Sequence, residues 1–295
     1  MKPVDFEYER PNTVDETLGL LRFRVAETKI LAGGQSLIPL LVTRALRPVL
    51  VVDIGRVHEL RYIREDAGGI RIGATMRQAA CADSELVRSA CPLLADAIAW
   101  VATPQVRNLG TLVGSMAQRN AISEIPTVAA ALGAVVTVID DAGHRREVAA
   151  ADFLDPLSPL TLRPNELAIE ARFPRQPRDM AWAFLETQRR HAHYALVGVA
   201  VAFRLDEAGR ITGARVAAGG VARCTVRLNT VEAALEGRVP SPEVFLQASG
   251  LASGDPRMDP PDDLDATADY RRRVSPVVIR RALDQAHARR VGAGR

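Results

Sequence analysis

Two glycine-bearing stretches carry the residue types that can bind an anion without a metal. Residues 31–41 read Leu-Ala-Gly-Gly-Gln-Ser-Leu-Ile-Pro-Leu-Leu, with Gly33 and Gly34 set between a short apolar run and a helix-like run. Adjacent glycines there let the backbone approach an anion and offer it N–H groups, which is a phosphate-cradle arrangement. A Gly-Gly pair between strand and helix also serves as an ordinary tight turn, so this reading requires a second set of donors. A second stretch stands about eighty residues on, at 105–126: Gln-Val-Arg-Asn-Leu-Gly-Thr-Leu-Val-Gly-Ser-Met-Ala-Gln-Arg-Asn-Ala-Ile-Ser-Glu-Ile-Pro.

The thiols and imidazoles point away from metal chemistry. Cys81, Cys91 and Cys224 are isolated, with no Cys-x-x-Cys pair. They supply neither a zinc site nor the four thiolates of an iron–sulfur cluster, and read as free thiols in a reducing compartment. His58, His144, His191, His193 and His287 make no ligand pattern. His191 and His193 would share a face on a strand, but no carboxylate stands near them in sequence.

The chain that must position these loops has 295 residues, 47% of them apolar, enough for two or three subdomains with a core. Net charge is +3, and Lys2 and Lys29 are the lysines; the arginines are spread among 35 acidic residues, which argues against nucleic-acid binding. No window approaches the roughly 20 apolar residues of a membrane span, and the start Met1-Lys-Pro-Val-Asp lacks a signal-peptide run. The expected location is the cytoplasm.

Thr13-Val-Asp-Glu16 is a capping box opening a helix to about Phe23, followed by a strand at 29–31, the first glycine loop, a helix over 36–46 with Pro39 in its first turn, and a buried strand over 49–54. This is a small α/β unit. A strand is expected at 70–74, then a helix capped by Thr75, an apolar helix over 92–102, and the second loop. Ser123 and Glu124 also read as the capped start of a helix ending near Leu132. Strands at 134–139 and 145–148 flank Asp140-Asp-Ala-Gly143, a hairpin signal, and another strand covers 166–173. After a Pro-bounded linker at 174–177, strands at 180–188, 194–205 and 211–219 precede helices at 229–236, 241–252 and 275–290, with an irregular stretch at 253–267. Strands followed by helices predict a separate α+β domain.

Taken together the motifs resemble the FAD-binding (medium) subunit of molybdenum hydroxylases, the xanthine dehydrogenase and carbon monoxide dehydrogenase family. Its pattern runs A-G-G-H-S-L-x-P, then Q-V-R-N-x-G-T-I-G-G with an acid before a late proline, then F-x-E-x-x-R-R-x-x-D-[FY]-A, then Y-R-R before a final helix. Here these read Ala32 to Pro39, Gln105 to Pro126, Phe184-Leu-Glu-Thr-Gln-Arg-Arg-His-Ala-His-Tyr-Ala195 and Tyr270-Arg-Arg-Arg273. The resemblance spans nearly the whole chain. It implies an α+β fold: a two-part, PCMH-like FAD-binding domain over 1–176 (subdomains about 1–56 and 57–176), and a C-terminal α+β domain over 177–295 with a three-stranded antiparallel sheet and helices.

Carried over by position, the resemblance implies that Ala32, Gly33, Gly34, Gln35 and Ser36 hold one side of the FAD pyrophosphate, and Thr111, Gly114 and Ser115 the other, with Leu37, Ala102 and Gly110 also among the cofactor-binding positions. A diphosphate carries two charges and suits two sets of backbone donors plus hydroxyls. Glu124, beside Ser123, matches the acid that accepts from the adenosine ribose; Leu162 and Tyr194 match positions at the flavin ring, where a core role is equally open. Gln35 stands where the pattern has histidine, residues 118–121 (Gln-Arg-Asn-Ala) replace its A-H-A-D-like stretch, and His193 replaces its aspartate. Val113 stands at a glycine position, where a positive φ would strain a β-branched residue.

The function implied is an electron-transfer subunit with non-covalent FAD and no catalytic side chain or metal of its own. Molybdopterin and [2Fe-2S] clusters are expected in partner chains, an iron–sulfur subunit and a molybdopterin-binding large subunit, as a dimer of heterotrimers. The strand 194–203, with Arg189 and Arg190, is the expected docking surface. The alternatives are an autonomous FAD oxidoreductase using His193 or Glu186, and a flavin-less scaffold subunit.

Overall fold

The computed structural model describes residues 2–23, 27–190 and 192–293. Met1 and His191, both part of the sequence reading, lie outside them.

The small α/β unit carries β1 (Glu7–Glu9), α1 (Val14–Phe23), β2 (Thr28–Leu31), α2 (Leu37–Val42) and β3 (Leu50–Asp53). Thr13 caps α1 as expected, its Oγ1 accepting from the Glu16 N–H at 3.1 Å, while the Glu16 carboxylate reaches one residue further back, to the Asn12 N–H at 2.7 Å. β3 lies between β1 and β2, parallel to both, and its apolar run is buried accordingly. α2 stops short of the expected 46: Thr43 ends it and Arg44 takes φ 61°.

The second part holds β4 (Ile63–Asp66), β5 (Gly69–Gly73), six helices α3 (Gln78–Asp83), α4 (Glu85–Ala90), α5 (Pro92–Trp100), α6 (Pro104–Leu109), α7 (Leu112–Gln118) and α8 (Glu124–Leu132), then β6 (Val135–Asp140), β7 (Arg145–Ala149), α9 (Ala150–Leu154) and β8 (Glu166–Pro174). The strands form an antiparallel sheet in the order β4-β5-β8-β6-β7. Buried Glu170 of β8 fastens its neighbours, accepting from the Tyr62 hydroxyl and from Arg71 Nη1, each at 2.6 Å. Thr75 does not cap a helix. Residues 74–75 instead form a turn closed by the Met76 N–H on the Gly73 carbonyl at 3.0 Å, and the chain then pairs with the second glycine loop, through a bridge between Arg77 and Thr111 and a 3.2 Å bond from the Leu112 N–H to the Met76 carbonyl. α3 therefore starts only at Gln78, and the Thr75 hydroxyl is buried against the Val57 carbonyl.

The C-terminal sheet is built from β9 (Ala181–Gln188), β10 (Ala195–Leu205), β11 (Ile211–Gly219) and β12 (Val226–Arg227), all antiparallel, so a two-residue edge strand joins the three expected. α10 (Asn229–Leu235), α11 (Pro242–Gly250) and α12 (Ala268–Ala293) follow. The long apolar run of β10 is explained by two covered faces. Phe184, Ala200 and Ala217 join the core of the second part, and Val199, Val201 and Val216 pack with Phe245, Ile279 and Leu283. That burial overturns the expectation that 194–203 offers a docking strand: 195–203 is the interior of the sheet, whereas Arg189 and Arg190 are exposed.

α12 begins seven residues before the expected 275, because Pro276 sits inside it instead of at its start. A proline there leaves the carbonyl four residues back without its N–H partner. The Ser253 hydroxyl supplies the missing donor, 3.1 Å from the Arg272 carbonyl. One turn earlier Arg271, 1% exposed, donates to the carbonyls of Leu196 and Gly220 and pairs with Asp263 at 2.6 Å. Gly220 in turn donates to the Ala121 carbonyl at 2.7 Å, so the fourth sequence motif braces the second loop through Gly220. Among the described residues no helix is long and apolar enough to cross a membrane.

Candidate functional site

The two glycine loops meet. A Cβ at Gly33 would stand 2.5 Å from the Leu109 carbonyl oxygen and 2.8 Å from the Gly110 Cα, so only glycine lets the first loop lie on the second. Gly34 takes φ +75°, the left-handed region that other residues resist. The N–H groups of Gly33, Gly34, Gln35 and Ser36 donate to no acceptor among the described residues. Unpaired backbone donors at the lip of a cavity are a binding capacity for an anion. The Gln35 side chain folds back onto its own loop, donating to the Gly33 carbonyl at 3.0 Å. In the second loop Thr111 Oγ1 accepts from the Gly114 N–H at 3.2 Å, which leaves the hydroxyl proton able to donate.

These loops open on a cleft of about 750 Å³, a size suited to a nucleotide-like ligand. All fifteen site residues named from the sequence line it. Ala32 to Leu37 come from the turn between β2 and α2, Ala102 from the end of α5, and Gly110, Thr111, Gly114 and Ser115 from the second loop. Ser123 and Glu124 come from the start of α8, Leu162 from the segment before β8, and Tyr194 from the approach to β10. Tyr194 is 62% exposed, which removes the core reading for it, whereas Leu162 packs on the core edge. Ser123 occupies the position before α8 but makes no capping bond with its side chain. Lys29, Arg163 and His193 also line the cleft; Glu186 does not.

Val113 is unstrained. It is the second residue of α7, buried, and keeps a helical backbone, so the glycine of the family pattern is not needed for a positive φ here. The left-handed residue of this region is Arg119, φ 54°, which ends α7.

Glu124, which lines the cleft, and Glu186, which does not, are electrostatically coupled. Burial pushes the Glu124 carboxyl up to about 7. Burial, then repulsion from Glu124, pushes the Glu186 carboxyl up to about 8, against a hydrogen bond from Gln188. One Glu186 oxygen is buried without a partner. Two carboxyls that share a site resist ionising together.

The segment bearing Leu162 is held by residues the sequence reading missed. Arg146 of β7 meets Glu166 with both carboxylate oxygens, Nε to Oε1 and Nη2 to Oε2, each at 2.7 Å. The same guanidinium donates to the carbonyls of Leu160 at 2.8 Å and Thr161 at 2.9 Å. Burial pushes the Glu166 carboxyl up, but Arg146 and the Arg163 N–H outweigh it and hold it below the usual range. From the opposite side Arg119 donates to Thr161 Oγ1 at 2.6 Å. Neither link shows in sequence, since the partners stand 20 and 42 positions apart with no motif between them. Among the described residues no group of His, Cys, Asp and Glu could hold a metal ion, and the three cysteines are buried and free.

Comparison with known proteins shows the family of the chain. Residues 4–176 match the family described as the FAD binding domain in molybdopterin dehydrogenase, and residues 182–286 the CO dehydrogenase flavoprotein C-terminal domain. The chain is 36% identical over 291 residues to the alpha subunit of the 6-hydroxypseudooxynicotine dehydrogenase complex of Paenarthrobacter nicotinovorans, covering 97% of this chain and 96% of that one. It is 32% identical to the carbon monoxide dehydrogenase medium chain of Hydrogenophaga pseudoflava, covering 98% and 99%. Among solved structures, the carbon monoxide dehydrogenase of Hydrogenophaga pseudoflava superposes with a TM-score of 0.92 at 34% identity, over 98% of this chain and 99% of that one. Quinoline 2-oxidoreductase from Pseudomonas putida 86 superposes with a TM-score of 0.89 at 31% identity, over 98% and 99%. The chain therefore belongs to the FAD-binding medium subunits of the molybdenum hydroxylases, the oxidoreductase family that includes the carbon monoxide dehydrogenase medium chains.

Proposed function

We propose that the cleft holds FAD without a covalent bond and that the chain relays electrons from the iron–sulfur clusters of a partner subunit to an external acceptor such as NAD, a quinone or oxygen. The observation that carries the reading is the convergence of the two glycine loops, with the unpaired N–H groups of Gly33 to Ser36 on the cleft. The donor set fits a dinucleotide diphosphate: backbone N–H groups, the hydroxyls of Ser36, Thr111 and Ser115, and the cations Lys29 and Arg163 on one cleft. FAD supplies the redox chemistry; the chain binds and orients it, and excludes water from it.

In this reading Ala32 to Ser36 hold one side of the diphosphate, and Thr111, Gly114 and Ser115 the other, with Leu37, Ala102 and Gly110 also against the cofactor. Glu124 accepts from the ribose hydroxyls, and Leu162 and Tyr194 flank the ring. The division into an FAD-binding domain at 1–176 and a C-terminal domain at 177–295 is part of the same proposal, as is assembly with an iron–sulfur and a molybdopterin subunit as a dimer of heterotrimers.

The test is turnover. The isolated chain, assayed with a dye acceptor against aldehydes, purines and carbon monoxide, is expected to be inactive, and activity is expected only with co-expressed partner chains. Turnover by the isolated chain would instead establish an autonomous oxidoreductase, with His193 at the cleft as its candidate acid–base group.

A further inference from the structure

Both glycine loops turn a carbonyl toward the same side chain, Arg77, which does not line the cleft and stands in the segment between β5 and α3. Its Nη1 donates to the Leu109 carbonyl and, at 3.3 Å, to the Ala32 carbonyl. The backbone of the same segment is tied to the second loop, at Arg77 to Thr111 and from the Gln78 N–H to the Gly110 carbonyl at 2.9 Å. Arg77 forms no ion pair among the described residues. Burial first, and Arg61 second, hold its guanidinium below the usual value, against an opposing attraction from Asp53.

In a trans peptide the carbonyl and the following N–H point in opposite directions. With the Ala32 carbonyl turned to Arg77, the Gly33 N–H points away from Arg77, and that N–H donates to nothing among the described residues. The Leu109 carbonyl held by Arg77 is also the atom against which Gly33 packs. One guanidinium thus sets the orientation of a donor in the first loop and the contact between the loops.

We propose that Arg77 is a positioning residue of the flavin site: from behind the glycine loops its guanidinium fastens Ala32 to Leu109, so that the Gly33 N–H and the second loop face one diphosphate, and its positive charge adds to their attraction for that anion. This rests on the reading that the cleft holds FAD, and the experiment separates the two. The full chain, freed of flavin, is titrated with FAD by flavin fluorescence, for wild type, Arg77→Met and Arg77→Lys. Failure of the wild type to take up FAD refutes the flavin reading; the comparison of variants with a wild type that binds tests Arg77 alone.

Arg77→Met is expected to bind FAD about 10- to 100-fold more weakly, the usual loss for a charged hydrogen-bond donor, and Arg77→Lys to fall between because an ammonium keeps the charge without the planar fork. The affinity of the wild type should fall more steeply with salt than that of Arg77→Met. Amide exchange in the flavin-free chain should quicken at 32–36 and 109–115 in Arg77→Met, with the C-terminal sheet unchanged. If Arg77→Met does not fold, Arg77→Lys decides on the same readouts. Wild-type FAD affinity in a folded variant would overturn the proposal, as would weakened affinity with unaltered exchange in both loops.

Discussion

Gly33 and Leu109, 76 positions apart, are in such close contact that a single added carbon at Gly33 would stand 2.5 Å from the Leu109 carbonyl oxygen. Gly33 is therefore required first for the meeting of the two loops, and only through that for the approach to a phosphate. Gly33→Ala should force the loops apart, at about 1 to 3 kcal/mol of overpacking, and Gly33→Val should abolish FAD binding. Gly34→Ala should cost about 1 kcal/mol from its left-handed backbone alone. Titration with FAD, alongside thermal unfolding of the flavin-free chain, checks both; full FAD affinity in Gly33→Val would refute the loop-contact account.

The paired acids predict an unusual pH dependence. Glu124 and Glu186 are raised in the fold, to about 7 and about 8, so the native state holds protons that the unfolded chain has released. Their stabilising contribution is complete below the unfolded carboxyl value near 4.5 and is lost as pH rises through 7 and 8. The unfolding midpoint of the flavin-free chain should fall over that window, and Glu186→Gln should flatten the fall. A midpoint that rises with pH from 5 to 8 by the same amount in both proteins would contradict this.

Glu124→Ala should weaken FAD by about 1 to 3 kcal/mol if the carboxylate accepts from the ribose. Unchanged affinity would leave Glu124 as the first residue of α8 and nothing more.

The Leu162 segment should loosen when its anchor is cut. Arg146→Met leaves the buried Glu166 carboxylate without its bidentate partner, at a cost of about 3 to 5 kcal/mol. The unfolding midpoint should drop and FAD affinity with it. The double variant Arg146→Met, Glu166→Leu should recover part of the stability, since the uncompensated charge is gone.

What the sequence showed and what it hid divide along physical lines. The glycine loops, the Asp140–Gly143 hairpin and the long apolar strands were legible because each is a local pattern: turn residues, or an apolar run too long for one exposed face. The helices between 78 and 118 were mostly missed, since four of the five are only six or seven residues long, too short to display a helical period. β1, Glu-Tyr-Glu, carries no apolar signal and exists through its pairing with β3, more than forty positions away. Pro276 misplaced the start of α12 because the donor that tolerates it, Ser253, belongs to another segment. The same distance hid Arg146, Arg119 and Arg77, whose partners are carbonyls and hydroxyls that no motif marks.

The central claim, a non-covalent FAD in the cleft, is tested most directly by acid precipitation of the purified chain followed by chromatographic identification of the flavin. The account predicts one FAD per folded chain, released entirely into the supernatant, and none from Gly34→Val. Flavin that stays with the denatured protein would contradict it and point to His193, a histidine that lines the cleft; a folded, colourless chain that takes up no added FAD would contradict it outright.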